Sequence, residues 1–89
     1  MRKLLAEHYG EELLFLHEEM YDKAIIGVAH RACQNPVVAY DREKVVKIST
    51  ENSVMTPEEA EEYFEYNQLG AYVGDYTPVF IDRIEGMDL

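Results

Sequence analysis

The residues best suited to chemistry are His30 and Cys33 in "HRACQNP". An imidazole beside a thiol can generate a thiolate nucleophile, provided a third group orients the base and donors await the oxyanion. The sequence supplies neither, so the pair reads as a strand-end histidine and a small buried thiol, and no enzymatic activity is expected. His8 and His17 stand nine apart, which puts them on different faces of one helix, and His30 with Cys33 makes at most half a zinc site. A single helix face of carboxylates cannot wrap an ion in six oxygens, so no metal and no cofactor are expected. "GAYVGDY" offers rings for stacking, but its glycines match no phosphate loop and follow a helix C-terminus, the wrong end for anions. A small-ligand site using Asn67, Tyr72 and Tyr76, completed between subunits, is the alternative functional reading.

The other grouping is "TPEEAEEYFEYN", residues 56–67, with five glutamates and three aromatic rings. Thr56 is placed to cap a helix, with Pro57 at its first position and Glu59 closing a capping box. Met55 and Ala60 could form the hydrophobic staple around that cap. At 100° per residue, Ala60, Tyr63, Phe64 and Asn67 share one face, whereas Glu58, Glu61, Glu62 and Glu65 share the opposite one. No lysine or arginine lies within the stretch to pair with them. Tyr66 falls beside Glu59 and Glu62, toward solvent. A ring rimmed by carboxylates could anchor a basic partner, or could be a partly covered surface ring.

Overall charge supports the same division. The 89 residues carry a net charge of −10. Residues 1–50 are nearly balanced, but residues 51–89 hold ten acidic side chains against Arg83 alone. Direct binding to nucleic-acid phosphate through such a surface is not expected, and a basic protein partner is. The plainer role of an acidic surface is solubility. Cys33 has no second cysteine to pair with, which fits a reducing cytoplasm. The first twenty residues lack an uninterrupted apolar core and a small-residue cleavage site, so export is not expected. No apolar run approaches ~18 residues, so no membrane span is expected.

The elements that would hold these groups follow from periodicity. Residues 3–20 read as a leading helix with Leu5, Tyr9, Leu13, Leu16 and Met20 on one stripe and Gly10 as an internal cost. Leu4, Leu14 and Phe15 point off that stripe, so either the helix lies deep across a sheet or these residues serve self-association. "KAIIGVAH" and "VVAYD" read as strands separated by a loop at Asn35-Pro36. "DREKVVKIST" reads either as a helix capped by Asp41 or as a hairpin loop into a strand, with the helix preferred. Gly70 ends the glutamate helix, Gly74-Asp75 makes a turn, and residues 77–81 form a last strand beginning near Pro78. Ile84 could anchor the tail.

Residues 58–81 resemble a block shared by small uncharacterised phage and prophage proteins. Its pieces here are Asp41 with Lys44, then Glu58-Glu59-Ala60, residues 63–67, 70–74 and 77–80; "AIIGVAHR" and "VVAYD" fit as well. The resemblance covers roughly residues 24–81 and leaves out the first twenty. It implies the short helix after Asp41 and brings no activity, cofactor or catalytic residue with it. A phage context implies an accessory role in the host cytoplasm, such as inhibiting a host protein.

The expected architecture is one α+β domain. A leading helix extension covers residues 1–22, an α+β core 23–82 and a tail 83–89. Its small, largely antiparallel sheet comprises residues 24–30, 37–40 and 77–81, with helices near 42–50 and 57–69 packed on it. The expected function is a homo-oligomeric, non-enzymatic interaction protein whose Glu58, Glu61, Glu62, Glu65 and Tyr66 meet a basic protein surface. Nucleic-acid mimicry is a subtype of that reading.

Overall fold

The structure is a computed structural model and describes residues 2–52, 54–69 and 74–84. The elements run α1 (Arg2–Tyr9), a 3₁₀ helix (Glu19–Ala24), β1 (Ile25–Ala29), β2 (Val37–Asp41), α2 (Arg42–Asn52), α3 (Pro57–Tyr63), a π-helix continuing α3 (Phe64–Leu69), and β3 (Val79–Ile81). This is the expected α+β arrangement of a three-stranded sheet, an N-terminal helix, and helices in the later half.

The sheet order is β1-β2-β3. Strands β1 and β2 pair antiparallel, with a bulge between Ile25 and Gly27, whereas β2 and β3 pair parallel. The sheet is therefore mixed. A parallel partner needs a long crossover, and here α2, α3 and the π-helix supply it. The central strand is buried most deeply, with Val38 and Tyr40 fully enclosed. Tyr40 stacks on Phe80 of β3, and its hydroxyl accepts a hydrogen bond from the Leu16 amide at 2.9 Å. Burial pushes the Tyr40 phenol above its ordinary pKa; the Leu16 amide opposes the shift.

After β2 the chain turns directly into α2. The Asp41 carboxylate accepts the Lys44 amide at 3.3 Å, an N-terminal cap that decides between the two readings of "DREKVVKIST". Val45, Ile48 and Ser49 recur at helical steps and are buried. Ser49 Oγ and the Tyr21 hydroxyl share a buried hydrogen bond of 2.5 Å, which ties α2 to the 3₁₀ helix.

The leading helix is much shorter than residues 3–20. Gly10 adopts φ +102° and its amide bonds to the Ala6 carbonyl at 2.9 Å, so this glycine terminates α1. The local sequence can be read as one long amphipathic helix, but a left-handed glycine closes a helix more favourably than it continues one. Leu5, Leu13 and Tyr21 still reach one common core, so the leading segment packs into the domain. Arg2 holds the returning loop: its guanidinium bonds to Asp22 at 2.7 Å and to the Leu16 carbonyl at 2.9 Å, and lies 4.9 Å over the Phe15 ring. An alanine at Gly10 would meet only the flexible Glu12 carboxylate, so its cost is backbone strain. We expect Gly10→Ala to destabilise by roughly 1–2 kcal/mol in chemical denaturation, without a change in the denaturant slope.

At the other end, Arg83 pairs with Asp41 at 3.3 Å, while Ile84 is exposed and anchors nothing among the described residues. The Gly74 turn forms as expected: the Thr77 amide and hydroxyl both donate to the Gly74 carbonyl.

Candidate acidic interaction face

The glutamate helix begins with the complete capping box. The Glu59 amide donates to Thr56 Oγ1 at 3.2 Å, and the Thr56 amide donates to Glu59 Oε1 at 3.0 Å. The Thr56 backbone amide, followed by its side chain, holds the Glu59 carboxyl below its ordinary pKa. The sign follows from that depression. The cap's carboxylate contribution is complete above the ordinary carboxylate range and is lost as pH falls through the lowered folded-state value. In thermal melts, Thr56→Ala should cost about 1 kcal/mol, roughly 4–8 °C, at neutral pH. The melting difference between wild type and Glu59→Ala should shrink as the pH is brought below the carboxylate range.

Inward, Ala60 and Phe64 are fully buried. Phe64 meets Phe80 edge-on at 4.8 Å between centroids, and the Arg42 guanidinium lies 5.2 Å over its ring. Outward, Glu58, Glu62 and Glu65 are exposed, and Tyr66 is 80% exposed. Rings indoors and carboxylates outdoors is the arrangement that the spacing predicts.

Two details differ. Glu61 is not part of an unpaired stripe: Arg42, from α2, reaches it at 2.7 Å and also stands 3.6 Å from Asp82. Nothing within residues 56–67 signals that partner, because it comes from another element. Asn67 is exposed and Gln68 is buried in its stead. The i→i+5 bonding of the π-helix widens the turn, so each residue advances by less than the 100° of an α-helix. Asn67 thereby swings outward and Gln68 swings in.

Between α3, the π-helix and the residue preceding the cap lies a shallow, open cleft lined by Met55, Glu59, Glu62, Tyr63, Tyr66 and Asn67. Burial first, then Glu18 and Tyr21, pushes the Tyr63 phenol above its ordinary pKa. The cleft thus presents two phenols, two carboxylates and a thioether. Such a set suits a lysine or arginine head: ring faces attract a cation, carboxylates pair with it, and apolar atoms cover its methylene stem.

The remaining candidates are dispersed. Leu4 is exposed on α1 and Leu14 on the loop beyond Gly10, so they do not share a helix face. Phe15 is partly buried against the core, with the Arg2 guanidinium over its ring. Tyr76 is half-buried against the core, and Tyr72 lies outside the described residues. Cys33 is exposed, at φ +62°, rather than buried, because the turn closed by Gln34 and Arg31 carries it outward. The His30 ring lies 5.8 Å from that of Tyr9. Among the described residues, no group of three or more His, Cys, Asp or Glu side chains could hold a metal ion. No helix among them is long and apolar enough to cross a membrane.

No protein family, no curated protein and no solved structure matches the chain.

Proposed function

We propose that the protein is a non-enzymatic interaction module whose α3 face receives a basic protein surface, with Tyr66 as the anchor. The observation that carries this reading is the exposed Tyr66 ring in a shallow depression shared with Glu59 and Glu62, with Glu58 and Glu65 free of ion pairs among the described residues. An exposed aromatic beside the Glu62 carboxylate and that of the capping-box Glu59 gives a cation both a ring face and counter-charges. Glu61, already engaged by Arg42, serves chiefly to hold α3 against α2. If the protein acts in a phage-infected cell, the partner is a host protein in the cytoplasm, and the carboxylates stand in for nucleic-acid phosphates in its binding groove. The same proposal includes self-association through Leu4, Leu14 and Phe15, of which Leu4 and Leu14 are exposed.

The test is capture of a basic partner from cell extract on the immobilised protein, repeated with a lysine-rich peptide followed by fluorescence anisotropy. Binding should fall steeply between low salt and about 0.5 M salt. It should fall again when Glu58, Glu62 and Glu65 are changed together to glutamine. Retention of binding under both conditions overturns the proposal.

A further inference from the structure

The core uses one face of the sheet. Ile25, Val28, Val38, Tyr40 and Phe80 pack into the core cluster. Side chains alternate along a strand, so Gly27, Ala29, Val37, Ala39, Val79 and Ile81 share the opposite face, with Gly27, Ala39 and Val79 in register across its middle. All six positions are apolar. Val79 and Ile81 are 38% and 39% exposed, and of the six only Ala39, small and central, is buried. The two flanks differ in size. A Cβ added at Gly27 would meet nothing within 4 Å beyond its own chain neighbours, so β1 leaves a hollow where β3 raises two branched side chains. One end of this face opens into a cleft lined by Ala29, Val37 and Val79 and by two charged groups, Arg31 beyond β1 and Asp75 ahead of β3. Neither charge has an ion-pair partner among the described residues.

We propose that this face is the interface of a homodimer, in which a second copy of the chain lays the same face upon it. Packed sheets keep their strands nearly aligned, about 10 Å apart. A two-fold axis running along the strands sets β1 of one copy over β3 of the other. Each Val79 then falls over the hollow at the other copy's Gly27, because the register holds both at one level. Counting outward from the Ala29–Val37 and Ala39–Val79 pairs brings Arg31, Asn35 and Asp75 to one level as well. The same axis therefore sets each Arg31 against the other copy's Asp75. His30, Gln34 and Asn35, also in the cleft, add hydrogen-bonding groups to that rim. At the far end Asp41 is already paired with Arg83, and Asp82 with Arg42, within the chain. One rotation thus matches knob to hollow and cation to anion, and that self-complementarity is what selects a second copy as the occupant. Elsewhere the net charge of −10 makes copies repel. Three short strands offer a flat area on the order of 250 Å² per copy, against ~800 Å² per partner in a stable complex, so the dimer is a weak one. This interface is separate from the acidic face and from Leu4, Leu14 and Phe15; it stands whether or not a basic partner binds α3.

The experiment is sedimentation equilibrium of the full chain from about 10 μM to 1 mM. The wild type should show reversible monomer–dimer exchange with a Kd on the order of 100 μM. Val79→Lys carries an ammonium group from each copy into the interface and should weaken dimerisation at least tenfold. Arg31→Asp and Asp75→Arg should each weaken it at least tenfold too, because like charges then face one another. Mixed in equal amounts, these two variants should form a heterodimer of near wild-type affinity, since opposite charges meet again across the axis. Both positions lie in loops, so the mixing arm decides the question even if Val79→Lys gives no folded spectrum. The proposal is overturned if the wild type stays monomeric at about 1 mM, if the mixture associates no better than either variant alone, or if a folded Val79→Lys dimerises like wild type. Loss of the dimer on changing Leu4 and Leu14 to serine, with Val79→Lys unaffected, overturns it in favour of the leading segment.

Discussion

Replacing Phe64 by alanine is expected to remove roughly 3–5 kcal/mol of stability. The ring is fully buried, meets Phe80 edge-on and is covered by Arg42, so its loss opens a cavity at the junction of α2, α3 and β3. The surrounding backbone cannot easily collapse into that space, because the Arg42–Glu61 pair and the parallel pairing of β2 with β3 hold its walls apart. For 89 residues the whole folding free energy is roughly 4–13 kcal/mol, so Phe64→Ala should remove a large fraction of it and lower the urea midpoint clearly. Phe64→Leu keeps most of the volume and loses only the ring contacts, so its cost should be clearly smaller. Urea titrations of the two variants check this. Equal midpoints for wild type and Phe64→Ala would show that the apolar face of α3 is not seated in the core.

The second large effect concerns binding and leaves folding untouched. Tyr66→Ala is expected to weaken a basic partner by roughly 30-fold or more, the loss typical of an aromatic hot spot. Its melting temperature should remain close to wild type, because the ring is 80% exposed. The phenylalanine variant should retain most of the affinity, since the ring face persists and only the hydroxyl is lost. A peptide titration by anisotropy, with a thermal melt on each sample, separates the two quantities. If Tyr66→Ala binds as tightly as wild type while the glutamate variants lose affinity, Tyr66 is not the anchor and the face attracts cations through charge alone.

Legibility in the sequence followed the range of the interaction. The start of α3 was fully readable, because Thr56, Pro57 and Glu59 act on one another within a single turn. The inward rings and outward acids were readable as well, since helical spacing alone separates them. The helix after Asp41 was readable only as a preference, because Val45, Val46 and Ile48 suit strands equally; the Asp41 cap made the difference. Gly10 was misleading, because a glycine inside an amphipathic pattern can be either a blemish or a full stop, and only its φ distinguishes them. Two features of the candidate sites lay beyond local pattern altogether. Arg42 reaches Glu61 from another helix, and the π-helix, which exchanges Asn67 for Gln68, breaks the period that placed them.

The parallel seating of β3 beside β2 has a kinetic consequence. Strands β1 and β2 can zip together across the loop of residues 30–36, but β3 must wait for residues 42–78 to arrange themselves before its pairing partners come within reach. The last strand to arrive, three residues long and at the rim of the sheet, is also the first able to leave. Its amides should therefore exchange with deuterium well ahead of those in β2, through an opening that lifts Phe80 from Tyr40 while the hairpin stays closed.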